Sequence, residues 1–225
     1  MKILLYTGFT NQKSDFSSWA TKTTNNKFEY TQKHNYDFLV ERGYDNYDRP
    51  ISWYKIKKII DILPLYDWIV WMDADSLITN HTIKIEDIIQ KNYERKKTVF
   101  LSPKDIPIEC ELPDLIDQNY IVAQDQYSPC MGIFMIKNSE WSINFFKRIY
   151  SKIEYLHDPI WDNRGQDYLF YTEPNLMENV KFVPKTEINS FTLDWESGHF
   201  IIHFPATESE RRARYTDQYL EKVIK

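Results

Sequence analysis

Two carboxylates separated by one residue lie about a third of the way along this chain, directly after a short apolar run. Asp73 and Asp75 follow residues 68–72, five apolar residues that indicate a strand buried on both faces. Side chains at positions i and i+2 of an extended segment point to the same side, so both carboxylates can enter one space. Carboxylate oxygens select divalent cations such as Mn²⁺ or Mg²⁺, which commonly complete their coordination with substrate phosphates. The sequence therefore predicts a divalent metal site here.

The same Asp-x-Asp pattern also begins phosphatases of the haloacid dehalogenase type, in which the first aspartate is a nucleophile. Those enzymes carry the pair near the N-terminus and follow it with threonine or valine. In this chain Leu77 occupies that position and the pair lies well inside the sequence. Both departures disfavour the phosphatase interpretation.

Three further positions can serve a nucleotide site. His203 ends an apolar run, where a neutral imidazole can act as a third metal ligand or simply belong to the core. Lys55 begins the helix that precedes the metal strand, where its cation can meet a diphosphate or remain solvated. Tyr6, Thr7 and Gly8 end the first strand candidate, and the glycine permits close approach of a ligand to the backbone. An ordinary turn after a strand explains these last three residues equally well.

Composition limits the function classes. The 225 residues carry a net charge of −5, which argues against a nucleic-acid partner. Aromatic residues make up 16% of the chain and supply flat faces of the kind that bind sugars, although most such rings fill cores. Only Cys110 and Cys130 are present, so we expect free thiols in a reducing compartment. No segment has the length of a signal peptide or a membrane span, and we expect a soluble, cytoplasmic protein.

Strand and helix patterns alternate along the chain, which favours an α/β fold with a mixed, mostly parallel central sheet flanked by helices. No linker or repeat appears, so residues 1–225 are expected to form a single domain. We predict strands at residues 2–7, 28–32, 68–72, 99–102, 132–136, 181–183 and 200–204. Helices are predicted at residues 15–22, 52–63 with Ser52 as N-cap, 86–93, 139–155 and 164–171. Residues 35–49 are expected to be loop, with a short helix as the alternative.

Four sequence blocks, in this order, resemble glycosyltransferase family 34, the galactosyl-, mannosyl- and xylosyltransferases of GT-A fold. The first two blocks are Trp53-Tyr54-Lys55 and residues 68–78, which contain the aspartate pair. The third, residues 132–142, combines a glycine, an apolar strand, Lys-Asn and a Trp-Ser helix start. The fourth covers residues 183–204 and ends in His203-Phe204. An ordered set of blocks is far more specific than the aspartate pair alone.

The resemblance implies a donor, a UDP- or GDP-sugar, whose diphosphate is held at the segment Asp73-Ala74-Asp75 by a metal that His203 also binds. It implies transfer to a glycan hydroxyl with retention of anomeric configuration, and it places Lys55 near the donor. A histidine ligand would favour Mn²⁺ over Mg²⁺.

The resemblance also reaches the reaction centre, where the match is looser. The family's acidic-Gln segment corresponds to residues 163–169, which makes Gln166 and Asp167 the candidate catalytic residues. This chain has Asp167 after the glutamine, whereas the family usually has an acid before it. Downstream of His203, Arg211 or Arg212 can clamp the diphosphate, or both can form the solvated face of a helix; we take Arg211 as the candidate.

Two rival functions remain open from the sequence. A nucleotide-sugar hydrolase or phosphatase can use the same metal site. A non-catalytic carbohydrate-binding domain can retain the aromatic cleft without turnover.

Overall fold

The computed structural model describes residues 1–9, 16–42, 48–93, 97–101, 107–111, 118–124 and 128–225. Three of the predictions fall outside what the structure describes. They are the polar stretch at residues 10–14, the last residue of the strand predicted at 99–102, and the free thiol in the side chain of Cys110. Cys130 is a free cysteine, as expected.

A six-stranded sheet forms the centre of the fold, with strand order β2-β1-β3-β8-β7-β9. Within that sheet, β8 runs antiparallel to its neighbours and the other pairings are parallel. The strands are β1 (Ile3–Phe9), β2 (Asp37–Arg42), β3 (Trp68–Met72), β4 (Ser76–Ile78), β5 (Lys97–Leu101), β6 (Pro107–Glu111), β7 (Tyr120–Gln124), β8 (Pro129–Lys137), β9 (Val180–Pro184) and β10 (Ile201–His203). The predicted mixed, mostly parallel sheet is confirmed.

Helices cover both faces of this sheet. They are α1 (Phe16–His34), α2 (Ile51–Ile62), α3 (Ile85–Tyr93), α4 (Glu140–Tyr150), α5 (Asp162–Thr172), α6 (Lys185–Ile188) and α7 (Ser209–Leu220). Ile69 and Trp71 of β3 pack on one face with residues of α2, α4 and α5. Trp68, Val70 and Met72 pack on the other face with residues of α1 and α3. Both faces of β3 are therefore buried, which explains its uninterrupted apolar sequence.

The strand predicted at residues 28–32 is wrong, because those residues continue α1. The helix buries a stripe at helical spacing that is largely polar and includes Thr23, Asn26, Lys27 and Thr31. A hydrophobic-periodicity argument counts apolar residues, so it stops at residue 22 and misses the rest of the helix.

The other corrections are smaller. Residues 37–42, expected to be loop, form the edge strand β2, in which most side chains are only half-buried. The N-cap of α2 is Pro50 and not Ser52. The predicted helix 139–155 ends at Tyr150 and is followed by a short 3₁₀ turn. The other predicted elements coincide with observed ones within a few residues at each end.

Candidate active site

Two strand pairings bring the predicted metal ligands together from distant parts of the chain. Asp73 leaves β3 and its backbone nitrogen donates to the oxygen of Gly132 in β8 at 2.8 Å. The short strand β4 pairs antiparallel with β10 and sets Ser76 opposite His203. One ligand atom from each of Asp73, Asp75 and His203 then lies within 4.8 Å of the other two. The cluster predicted from the sequence is present.

Each carboxylate of the cluster has one oxygen held by the protein and one turned towards His203. Oδ1 of Asp73 accepts a hydrogen bond of 2.7 Å from the indole of Trp71, and its Oδ2 lies 3.9 Å from Nε2 of His203. Oδ2 of Asp75 lies 2.9 Å from the guanidinium of Arg212, and its Oδ1 lies 3.2 Å from Nε2 of His203. Asp73 Oδ2, Asp75 Oδ1 and His203 Nε2 therefore face a shared space.

His203 is buried and its ring is oriented from behind. Its Nδ1 lies 2.8 Å from Oδ1 of Asn189, while Nε2 is buried and has no hydrogen-bond partner among the described residues. A proton on Nδ1 leaves the Nε2 lone pair available to a metal, which is the usual role of such a second contact. Sequence reasoning did not identify Asn189 as this partner.

The electrostatics of the cluster suit a cation. Burial lowers the pKa of His203, but the charge of Asp75 and the contacts of the ring with Asp75 and Cys130 together outweigh that effect and raise the pKa to about 10. For Asp75 burial acts in the opposite direction and raises the pKa. His203 and Arg212 together outweigh burial and leave the pKa of Asp75 below its ordinary value. A divalent ion at Nε2 would replace the histidine proton as the partner of the two carboxylates.

His203 and Asp73 lie so close to the backbone of residue 132 that only glycine fits there. A Cβ at Gly132 would lie 2.5 Å from Cε1 of His203 and 3.1 Å from Oδ2 of Asp73. The buried Nε2 of His203 and the two inward carboxylate oxygens together fit a divalent cation.

Lys55 forms a buried ion-pair system on the side of Asp73. Its ammonium lies 2.9 Å from Asp162 and 3.7 Å from Asp73, and it donates to the oxygen of Met131 at 2.7 Å. Burial lowers the pKa of Lys55, but the charges of Asp162 and Asp73 and the hydrogen bond to Asp162 together outweigh burial and raise the pKa. Burial raises the pKa of Asp162, and Lys55 only partly offsets this. Asp162 was missed because a single acid between an aromatic residue and an asparagine carries no local pattern.

The two arginines of α7 separate clearly. Arg211 is exposed, whereas the side chain of Arg212 is 11% exposed and contacts Asp75. The guanidinium of Arg212 also stacks over Trp19, 4.8 Å from the ring centroid. Its Nε is buried and has no hydrogen-bond partner among the residues that the structure describes. Arg212, not the candidate Arg211, is thus the arginine beside the cluster.

The end of β1 lies on the sheet next to β3. Tyr6 and Thr7 are fully buried, and the hydroxyl of Tyr6 donates to Glu41 at 2.5 Å. Gly8 is only partly buried. Of these three residues, Gly8 is the one that is partly accessible.

Both residues predicted at the reaction centre lie in α5. Gln166 is fully buried, accepts a hydrogen bond of 2.7 Å from Tyr120 and donates one of 2.8 Å to the oxygen of Pro129. It therefore anchors α5 to β7 and β8. Asp167 is also buried, at 8% exposure. A direct role of either side chain in catalysis stays a prediction.

The chain is similar to known glycosyltransferases. The sequence profile of the galactosyl transferase GMA12/MNN10 family matches residues 1–214. An uncharacterized alpha-1,2-galactosyltransferase of Schizosaccharomyces pombe is 26% identical, and the alignment covers 90% of this chain and 61% of the relative. A probable alpha-1,6-mannosyltransferase of Saccharomyces cerevisiae is 25% identical over 77% of this chain and 48% of that protein. The chain thus spans roughly half to three fifths of the length of these two relatives.

A similar fold occurs in solved glycosyltransferases. The structure of a glycosyltransferase involved in glycosylation of the major capsid of PBCV-1 superposes with a TM-score of 0.68 at 15% identity, covering 97% of this chain and 100% of that one. The glycosyltransferase GlyE of Streptococcus pneumoniae gives a TM-score of 0.55 at 10% identity over 99% of this chain and 60% of GlyE. The predicted GT-A fold is confirmed. In the described residues, no helix is both long and apolar enough to span a membrane.

Proposed function

This chain belongs to the galactosyl transferase GMA12/MNN10 family, and from that premise we propose a retaining, metal-dependent glycosyltransferase. Its donor is a UDP- or GDP-sugar, and its acceptor is a hydroxyl group of a glycan. Residues 1–225 act as one domain that holds both substrates.

The observation that carries this proposal is the inward orientation of Asp73 Oδ2, Asp75 Oδ1 and His203 Nε2 around one space. Oxygen ligands with one imidazole fit Mn²⁺ or Mg²⁺, with Mn²⁺ preferred because of the histidine. When bound there, such an ion supplies positive charge that stabilises the departing diphosphate.

The chain itself supplies two further cations near this charge. Arg212 approaches the cluster from α7, where its guanidinium lies 2.9 Å from Asp75 and can bind a phosphate oxygen held near that carboxylate. Lys55 approaches from α2 and fixes Asp73 between its own ammonium and the indole of Trp71. These groups orient the donor and balance its negative charge, and they exclude water from the cluster.

In the transfer, the bond between the anomeric carbon and the diphosphate oxygen breaks, and a bond from the acceptor oxygen to that carbon forms. The acceptor proton passes to the leaving diphosphate if the displacement takes place on one face of the sugar. A double displacement would instead require Asp167 as nucleophile, since Asp162 is already paired with Lys55. With Asp167 at the reaction centre, its substitution should lower kcat far more than donor affinity.

A panel of nucleoside diphosphate sugars, tested by thermal shift with and without Mn²⁺, separates the rival functions. The transferase predicts selective stabilisation by one donor that depends on Mn²⁺, followed by sugar transfer to an added glycan. Release of free sugar with no transfer to any glycan would favour the hydrolase. Absence of stabilisation by every donor would refute the proposed function.

The anomeric outcome is checked separately. Proton NMR of the product at early times reports the configuration of the new linkage through its anomeric coupling constant. Retention predicts the configuration of the donor, and an inverted product would contradict this part of the proposal.

A further inference from the structure

The residue immediately before α5 combines an exposed indole with an unfavourable backbone. Trp161 is 52% exposed and has φ 49° and ψ −122°. A large non-glycine residue rarely adopts positive φ, and strained residues of this kind cluster at functional sites when the surrounding structure enforces them. In the part of the chain that the structure describes, its indole has no stacked ring, no cation partner and no hydrogen bond. Ring stacking, a cation contact or a hydrogen bond of the indole within the described residues therefore does not explain the strain.

The flanking residues enforce this conformation. The backbone nitrogen of Trp161 donates to the oxygen of Asp158 at 2.9 Å, and the carboxylate of Asp158 accepts from Nε of Arg164 at 3.1 Å. On the other side, Oδ1 of Asn163 accepts from the backbone nitrogen of Met131 at 2.8 Å. The segment is thus anchored both within itself and to β8 while its largest apolar side chain faces solvent.

Trp161 lies at the border of the candidate active site. The next residue, Asp162, contacts Lys55 at 2.9 Å, and Lys55 in turn lies 3.7 Å from Asp73. Asn163 accepts a hydrogen bond from Met131, the neighbour of the glycine against which His203 packs. Arg212 reaches the cluster from α7, so Trp161 and the proposed diphosphate contact belong to different elements around it.

We propose that Trp161 is the stacking platform of an acceptor subsite, on which a pyranose ring of the glycan lies. A pyranose presents an apolar face of C–H groups, and an exposed indole offers a flat apolar surface with a polar edge. The fixed backbone holds that surface ready, so little conformational entropy is lost on binding. This assignment rests on the proposed function, because it takes the ligand beside the donor to be the acceptor.

The test measures binding of three glycans, α-mannobiose, α-galactobiose and cellotetraose, by calorimetry in the presence of UDP and Mn²⁺. At least one glycan should bind the wild type, and Trp161→Ala should weaken that binding about tenfold. Trp161→Phe should retain most of it. Tyr171→Ala is the matched control, because Tyr171 is an aromatic residue near the other end of α5 and is 66% exposed. Its substitution should leave glycan affinity unchanged.

UDP affinity, measured in the same proteins, shows whether a failure concerns the acceptor subsite or the donor site. It should be equal in the wild type, Trp161→Ala and Tyr171→Ala. Equal glycan affinity in wild type and Trp161→Ala would overturn the subsite, as would failure of all three glycans to bind the wild type. Failure of the wild type itself to bind UDP would instead refute the proposed donor site.

A glycine variant tests the strain directly. Trp161→Gly should have a higher Tm than Trp161→Ala, since both variants lack the indole and only glycine adopts positive φ without penalty, and it should weaken glycan binding to the same extent. An equal or lower Tm in Trp161→Gly would show that the backbone at this position is unstrained and would remove the reason for assigning it a function.

Discussion

The ammonium of Lys27, buried in α1, donates a hydrogen bond of 2.6 Å to the backbone oxygen of Ser76, just beyond the aspartate pair. The same group lies 3.4 Å from the oxygen of Ala74, between the two aspartates. Burial lowers the pKa of Lys27 to about 7, and the charges of Asp75 and Asp73 limit the decrease. A helix far away in sequence thus holds the turn that presents the metal ligands.

Lys27→Met keeps most of the side-chain volume but leaves two backbone oxygens without their donor. We expect the free energy of unfolding to fall by about 1–3 kcal/mol, and Mn²⁺ affinity to fall as the turn shifts. Urea unfolding and a Mn²⁺ titration measure the two effects. Lys22→Met is the control, because Lys22 is an exposed residue of the same helix and pairs with Asp217 at the surface. Equal unfolding curves for the two variants would contradict a structural role of Lys27.

The sequence predicts the parts of this site that local patterns encode. The buried strand β3 and the aspartates after it follow from five apolar residues and a spacing of two. His203 and Lys55 required the family resemblance, because a lone histidine or lysine is ambiguous. Asp162 and Asn189 were missed, since their roles depend on contacts across the sheet that no spacing records. The second half of α1 was missed because its buried stripe is largely polar, and the periodicity argument counts apolar residues.

Asp75→Asn tests the metal site with little change in shape. Mn²⁺-dependent UDP affinity should fall at least about 100-fold, because the amide removes the charge that faces His203. Thermal unfolding should still be cooperative, as the side-chain volume is kept. Calorimetry of UDP with and without Mn²⁺ measures the loss, and Asp217→Asn, an exposed carboxylate of α7, serves as control. Unchanged Mn²⁺ dependence in Asp75→Asn would refute the assigned ligand.

Gly132→Ala tests the close contact between residue 132 and His203. The added Cβ would meet Cε1 of His203 at 2.5 Å, so the imidazole must move and Mn²⁺ affinity should fall by about tenfold or more. Gly198→Ala is the contrasting variant, since Gly198 has φ +98° and no neighbour within 4 Å of its Cβ position. It should lower Tm through backbone strain and leave Mn²⁺ affinity unchanged. If both variants lost only stability, the glycine would have no link to the metal.

His81 makes stability depend on pH, away from the active site. Its ring is buried, the amide of Asn26 donates to Nε2, and burial followed by the charge of Lys225 lowers its pKa to about 4. The unfolded chain takes up this proton near the ordinary pKa of 6.5, so His81 reduces stability as pH falls from about 6.5 towards 4. Above that window it contributes no pH dependence.

His81→Gln keeps an acceptor for Asn26 and removes the titration. The variant should lose less Tm than the wild type between pH 7 and about 4.5, measured by thermal unfolding across that range. His157→Gln, at an exposed histidine, should show the slope of the wild type. Parallel slopes for His81→Gln and the wild type would show that other groups set the acid sensitivity.

The two neighbouring arginines of α7 provide the sharpest comparison for the donor. Arg212 lies 2.9 Å from Asp75 and stacks on Trp19, whereas Arg211 is exposed. Arg212→Lys keeps the charge but loses the planar, two-pronged donor, so UDP affinity should fall about tenfold while UMP affinity changes little. Calorimetry of both nucleotides in the presence of Mn²⁺ gives the ratio of UDP affinity to UMP affinity, which reports the contribution of the second phosphate. Arg211→Lys should leave that ratio unchanged. A reduced ratio in Arg211→Lys alone would contradict this assignment. It would make Arg211, the candidate from the sequence, the residue that binds the diphosphate, and it would leave Arg212 as a structural partner of Asp75.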